Sequence, residues 1–279
     1  MLDPVLMNRL GIGERTKVVA ALVEGMGINA TCRMTGVSKP TVLKLLSDLG
    51  RACYAYHDAN VRGLKCKRVQ ADEIWSFVGA KMKNASEEKV ANEGWGDAWT
   101  WTAMDADSKL MVSYLVGQRG PRWARAFVED IASRIDSRIQ LTTDGLKMYA
   151  DAVEGVFGCE IDYAMLIKLY GNDSFDSKYS PGECIGTQTA VLMGNPDPKH
   201  ISTSFVERQN LTMRMSIRRF TRLTNAHSKK LANHEAAIAL HYMHYNFCRI
   251  HQTLRVTPAM EAGLAGHVWS MEELVGLLA

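Results

Sequence analysis

Apolar and polar residues alternate along Arg68-Val-Gln-Ala-Asp-Glu-Ile-Trp-Ser-Phe-Val-Gly79, and its Ile, Trp, Phe and Val favour strands. The same alternation returns at 97–105 and at 109–116, with Asp105-Ala-Asp-Ser as a turn between them. These three segments predict an antiparallel meander, with a loop or hairpin end at 81–96. Ahead of them the period becomes helical. Val18, Val19, Leu22 and Val23 predict a helix from Glu14 to about Met26, and Asn29 suits the cap of a short helix through Met34. Gly36 suits a tight turn, Ser38 an N-cap, and Pro40 the first turn of a helix to about Leu49 that turns Val42, Leu45, Leu46 and Leu49 inward. Beyond the meander, the pattern predicts a helix at 121–137, a short strand at 139–143 that delivers Asp144, a helix at 147–157 and a strand at 160–169. Residues 170–200 are polar and rich in Gly and Pro, so an irregular insertion is expected. A basic helix begins at Ser202, a long one covers 231–251, and a final one starts at Ser270.

The order three strands, helix, strand, helix, strand, helix predicts an α/β domain with a ribonuclease-H-like mixed sheet and flanking helices. In that arrangement the first and fourth strands lie side by side, which brings Asp72 and Asp144 within metal-sharing distance. The expected division is 1–52 as a helix-turn-helix DNA-binding domain, 53–67 as a linker, 68–225 as the ribonuclease-H-like domain with its insertion at 170–200, and 226–279 as a C-terminal helical extension. Short helix, glycine turn and capped second helix is the helix-turn-helix layout, in which Lys39, Thr41 and Lys44 would face the major groove.

Composition adds limits. The 279 residues are 47% hydrophobic and 23% charged, as in an ordinary soluble globule. No apolar run approaches the ~18 residues of a membrane span, and no signal peptide is expected, since Met1-Leu-Asp-Pro lacks the basic start and apolar core of one. The six cysteines form no CxxC pair and suit reduced cytosolic thiols. Net charge is only +3, but its distribution is uneven. Seven Lys/Arg and no acid lie between Arg208 and Lys230, and eight Lys/Arg against two acids lie between Arg33 and Arg68. Two basic stretches in a nearly neutral chain suggest two surfaces for a polyanion.

A carboxylate in mid-strand is expensive to bury unless a metal or a cation meets it. On a strict period of two, Asp72 shares a face with Ile74 and Ser76, and Glu73 with Trp75 and Phe77, so only one of the two acids is expected at a given site. We take Asp72. Asp144 ends a strand before Gly145, where the chain can bend away. Asp105 and Asp107 rank lower, since a turn aspartate usually bonds its own backbone. In the segment 203–220 the third acid, Glu207, precedes Arg214 and Arg218 by seven and eleven residues, close to whole helical turns. Val206, Met213, Ile217 and Phe220 form an apolar stripe beside them.

Asp72 in Asp-Glu-x-Trp, Asp144 in Thr-Asp-Gly, and Glu207 in Val-Glu-Arg-x-Asn with Arg214 seven residues on resemble the DDE transposases of bacterial insertion sequences, and most of all the insertion-sequence-one family. The stretch 206–235 and the tail Tyr245-Asn-Phe-x-Arg-Ile-His-Gln-Thr-Leu-Arg-Val-Thr-Pro-Ala carry the most specific part of it, and the similarity spans roughly 70–264. Many relatives begin with a cysteine-based zinc module, where this chain has only the helix-turn-helix. The resemblance implies catalytic and metal-holding roles for Asp72, Asp144 and Glu207 and a catalytic role for Arg214, while the basic stretch itself predicts DNA contacts by Arg208, Arg214, Arg218, Arg219 and Arg222.

Hard oxygen ligands favour Mg²⁺ or Mn²⁺, and two such ions would clamp the attacking and leaving oxygens of a phosphoryl transfer. On this reading water frees a 3′-OH at the element end, which attacks target DNA. Double-stranded DNA, as terminal repeats and as target, would be the partner of at least a dimer, in the bacterial cytoplasm at the nucleoid. Two other readings are a DNA-binding protein whose nuclease domain is inactive and a ribonuclease-H-like nuclease that does not transpose. His234, His241, Cys248 and His251 share one helical stripe, but it spans roughly 25 Å, too long for one zinc site. His200 reads as a loop histidine, and Trp75, Trp99 and Trp101 as core.

Overall fold

Three helices open the chain in a computed structural model that describes residues 10–171, 184–221 and 224–278: α1 (Ile12–Val23), α2 (Ile28–Thr35) and α3 (Lys39–Asn60). Gly36 ends α2 in the left-handed conformation, and Ser38 precedes α3 with Pro40 in its first turn. Val42, Leu45, Leu46 and Leu49 are buried, as their spacing predicts. The helix does not stop near Leu49. Gly50, Cys53 and His57 carry the same buried stripe onward, so the residues up to Asn60, read as the start of a linker, are its last turns.

Next come β1 (Arg68–Val78), α4 (Glu87–Glu93), β2 (Gly96–Asp105), β3 (Met111–Gly117), α5 (Pro121–Arg134), β4 (Gln140–Asp144), α6 (Met148–Phe157), β5 (Asp162–Tyr170) and β6 (Cys184–Met193). The chain ends with α7 (Ser204–Ser216), α8 (Leu231–Met243), α9 (Pro258–Glu261) and α10 (Met271–Gly276). Helix α4 falls where a loop was expected. Its Ser86 N-cap, acidic first turn and left-handed Gly94 are ordinary helix signals, but it buries no residue, so it leaves no apolar stripe to read. Strand β6 corrects the irregular insertion expected at 170–200, of which 172–183 lies outside the described residues. It is an edge strand exposed along most of its length, and such a strand has no buried face to impose alternation. Helix α7 ends at Ser216. Ile217 is extended and 218–220 form a 3₁₀ turn, so Arg218 does not continue the helical sector of Glu207 and Arg214. Helix α8 passes into a π-helical turn at His244–Cys248 and stops short of His251.

The chain forms two compact units. One holds the sheet: Arg62–Trp75 and Ala98–Asn210. Its strand order is β3-β2-β1-β4-β5-β6, with β1, β4 and β5 parallel and the β2–β3 and β5–β6 pairs antiparallel. This is the expected ribonuclease-H-like mixed sheet with flanking helices. Trp101 is fully buried, with its ring centroid 5.9 Å from Phe127 of α5 and 5.4 Å from Tyr149 of α6.

The other unit is largely helical: the chain up to Val61, Ser76–Asp97, and Leu211 onward. Helices α3 and α8 pack so closely that a Cβ on Gly50 would lie 2.4 Å from the Cβ of Ala236. His234 lies buried, with its ring nitrogens 3.1 Å from Ser76 Oγ and 2.8 Å from Ser228 Oγ, and it stacks on Phe220. Burial, reinforced by Arg219, holds its pKa down to about 3. His241 is also buried and pushed down to about 3. Both therefore act as neutral, packed side chains. No helix among the described residues is long and apolar enough to cross a membrane.

Candidate active site

Strands β1 and β4 pair in parallel from Arg68↔Gln140 to Ala71↔Thr143. The next residue on each strand is an acid, Asp72 and Asp144, so strand register alone makes them neighbours. Glu73 joins them. Ligand oxygens of Asp72, Glu73 and Asp144 all lie within 4.8 Å of one another, the one such cluster of three metal-ligating side chains among the described residues. This corrects the expectation that only one of the two adjacent acids can serve a site. Strand β1 continues to Val78, and Glu73 joins the cluster because Arg119 and Tyr149 hold its longer side chain there.

Each carboxylate has its own holder. Asn210 of α7 donates from Nδ2 to Asp72 Oδ2 at 2.8 Å. Arg119 donates to Glu73 Oε1 from Nε at 2.9 Å and from Nη2 at 2.7 Å, and the Tyr149 hydroxyl donates to Oε2 at 3.4 Å. The Leu146 N–H donates to Asp144 Oδ1 at 3.1 Å, in the turn before α6. Gly145 matters there for close approach: an added Cβ would come 3.1 Å from Ile167 Cγ1. Arg119 itself lies over the Trp99 ring, 4.7 Å from its centroid.

Three acids in a partly buried space disfavour one another's charge. Burial, then the Asp144 carboxylate, pushes Asp72 up to about 6, although the Glu73 backbone and Asn210 oppose the rise. Burial, Asp144 and Asp72 push Glu73 up to about 7 against the pull of Arg119. Asp144 is raised as well, first by burial and then by Glu207. The Glu73 side chain is only 2% exposed, so Arg119 offsets a charge that water hardly reaches.

Glu207 stands apart from the cluster of three. It lines the same cleft of about 680 Å³ as Asp72, Asp144, Arg119 and Lys168. There it is ion-paired with Lys168 of β5 and accepts from the Thr203 hydroxyl. The start of α7 is tied to β1 through Gln70, whose Oε1 accepts the N–H of Phe205 at 2.8 Å and of Val206 at 3.2 Å. That anchor fixes where Glu207 and Asn210 enter the site.

The other residues singled out from sequence are not among those that line this cleft. Arg208 is exposed on α7. In the helical unit, Arg214 donates to the Phe220 carbonyl at 3.4 Å, and Lys44 pairs with Asp48 at 2.6 Å. Lys39, Thr41, Arg218 and Arg219 belong to that unit too, and Arg222 lies outside the described residues. Asp105 binds its own turn, accepting the Ser108 N–H at 3.0 Å, and Asp107 pairs with Arg68. His200 lies 2.5 Å from Arg68 Nη1. Sequence reasoning missed Glu73, Arg119, Lys168 and Tyr149 as members of the site. Asn210 had one readable signal: it follows Glu207 by three residues on one helix, so the two share a face.

No family model and no curated protein matches the chain. Among solved structures it is similar to a piggyBac transposase synaptic complex with hairpin DNA, at 11% identity over 96% of this chain and 69% of that one, with a TM-score of 0.38. It is also similar to the Mos1 strand transfer complex, at 14% identity over 56% and 58% of the two chains, with a TM-score of 0.22. At these TM-scores neither likeness bears on function.

Proposed function

We propose that the chain is a DNA transposase of the DDE type, a metal-dependent polynucleotidyl transferase that cleaves the ends of an insertion element and joins the freed 3′-OH to target DNA. One observation carries this reading: Asp72 and Asp144 are brought together by the register of two parallel strands, with Glu73 inside the same 4.8 Å cluster. The donor set fits a hard divalent cation. All its ligand atoms are carboxylate oxygens, their charges are mutually disfavoured, and a cation would relieve that cost.

Asp72, Glu73 and Asp144 would hold Mg²⁺ or Mn²⁺, and Glu207, which lines the same cleft, is the proposed fourth acid. The ions would supply Lewis-acid activation of a phosphodiester and of the attacking oxygen. The chain's own residues do the rest. Asn210 orients the Asp72 carboxylate, Arg119 steadies Glu73, and Lys168 holds Glu207 while offering a cation to a phosphate in the cleft. DNA contacts outside the cleft are assigned to Lys39, Thr41, Lys44, Arg208, Arg214, Arg218, Arg219 and Arg222, with Arg214 also acting in catalysis. Synapsis of two element ends calls for at least a dimer.

The test is cleavage and joining of duplex DNA carrying the sequences that border the gene, in Mg²⁺, with Asp144→Asn as control. The reading expects 3′-OH ends and joined strands from the wild type alone. Equal products from both proteins would overturn it, and nicking without joining would reduce it to a nuclease.

A further inference from the structure

The helical unit contains a second concave site, of about 660 Å³, that the proposed catalysis does not use. It is lined by the α1–α2 turn, the start of α3, residues on either side of 222–223, and α8. Its floor is apolar, with Leu22, Leu43, Leu46, Ile217 and Leu240. Lys39, Arg218, Arg219, Lys229 and Lys230 also line it, and no carboxylate does so among the described residues. Five cations without an acid around an apolar floor is an unbalanced arrangement. Arg219 shows the imbalance most directly. Its Nη1 donates to a neutral partner, the Ser228 hydroxyl at 3.3 Å, and that hydroxyl is also bonded to a neutral His234. Burial alone pulls its guanidinium down to about 10.

We propose that this cleft binds an unpaired nucleotide of a DNA strand, with its phosphate on Arg218, Arg219 and the lysine pair, and its sugar and base over the apolar floor. The volume falls in the range of small-ligand sites. A concave space of that size takes a nucleotide but not the side of a duplex, whose phosphates lie on a convex surface. Single-stranded nucleic acid is held by this combination of a cationic groove and apolar surface. That the strand is DNA rests on the function proposed above; the anionic, unpaired character of the ligand rests on the cleft alone.

The test uses the full chain without metal, and reads the anisotropy of a labelled single strand and of a blunt duplex of equal length. Asn233→Trp and Asn29→Trp each place bulk at the cleft without touching its charge, and Asn29 is exposed, so its variant should keep the fold. Each should weaken single-strand binding by tenfold or more and duplex binding by less than twofold. Arg218→Gln with Lys230→Gln should reduce the salt dependence for the single strand, by about 0.7 in log–log slope for each phosphate that is no longer neutralised. Inorganic phosphate should compete for the single strand at millimolar levels. Unchanged single-strand affinity in both tryptophan variants, or equal losses for both probes, would overturn the proposal. Asp144→Asn protein should bind the single strand as the wild type does. A chain that binds in this way but never cleaves would thus remove the catalytic reading and leave this one standing.

Discussion

Asn210 Nδ2 lies 2.8 Å from Asp72 Oδ2, and the Thr102 hydroxyl lies 3.3 Å from Asn210 Oδ1 and 3.1 Å from the Asp72 carbonyl. An amide on α7 thus donates to a carboxylate on β1, with Thr102 of β2 fixing which way the amide points. The bond favours ionised Asp72 in a site where burial and Asp144 disfavour it. Asn210→Ala should therefore push the Asp72 carboxyl higher still. Mn²⁺ affinity, measured by calorimetry, should fall roughly tenfold at pH 6, the size of one hydrogen bond to a charged group. The loss should shrink at pH 8.5, where Asp72 is ionised in both proteins.

Stability should respond to pH and metal together. Folded Asp72 and Glu73 titrate at about 6 and about 7, above their ordinary values of 3.8 and 4.5. A raised carboxyl favours the folded state below its unfolded value, and that stability is lost as pH rises through the folded value. Metal-free protein should lose on the order of a few kcal/mol between pH 4 and pH 8 from these two groups. Saturating Mg²⁺ should raise Tm more at pH 8 than at pH 5, as thermal melts at both values will show. An equal rise at both would count against an ion among these acids.

The four acids can be ranked by substitution. Asp72→Asn and Asp144→Asn should each lower Mg²⁺-dependent cleavage by roughly a thousandfold, the scale of several kcal/mol of metal-based stabilisation. Glu73→Gln and Glu207→Gln should each weaken Mn²⁺ binding with the fold kept. If only the Glu207 variant retains wild-type affinity, that residue is no ligand and its bond to Lys168 is structural.

Gly50 offers a test independent of function. The Ala236 backbone oxygen would lie 2.6 Å from an added Cβ, so the helices must part to admit a side chain. Gly50→Ala should cost roughly 1–3 kcal/mol by overpacking, despite the gain in helix propensity, and Gly50→Val more. Urea denaturation measures the difference.

Much of this molecule was legible along the chain because local rules governed it. Burial of one strand face or one helix stripe imposes a period, and the periods at β1, β2, β3, α5, β4, α6 and β5 placed these elements within a few residues. Asp72 and Asp144 followed, since the parallel pairing of β1 with β4 sets a mid-strand acid beside one that ends its strand. Where no face is buried, no period forms. Helix α4 and strand β6 are the two elements that escaped for that reason. Helix α3 escaped in part, because Gly50, Cys53 and His57 continue its stripe at helical spacing but are not strongly apolar residue types.

Tertiary structure alone decided which side chains keep the acids company. Arg119 follows β3, Tyr149 sits on α6 and Lys168 on β5, each far along the chain from the carboxylate it meets. Which cation meets which acid depends on how strands stack sideways and how helices lie across them, and side-chain spacing within one segment holds no information about that. The chain's pattern therefore determined strands β1 to β5 and the pairing of Asp72 with Asp144. Only the packed fold brought Glu73 into the cluster, because its place depends on Arg119 and Tyr149 holding a long side chain where strand alternation alone would turn it away.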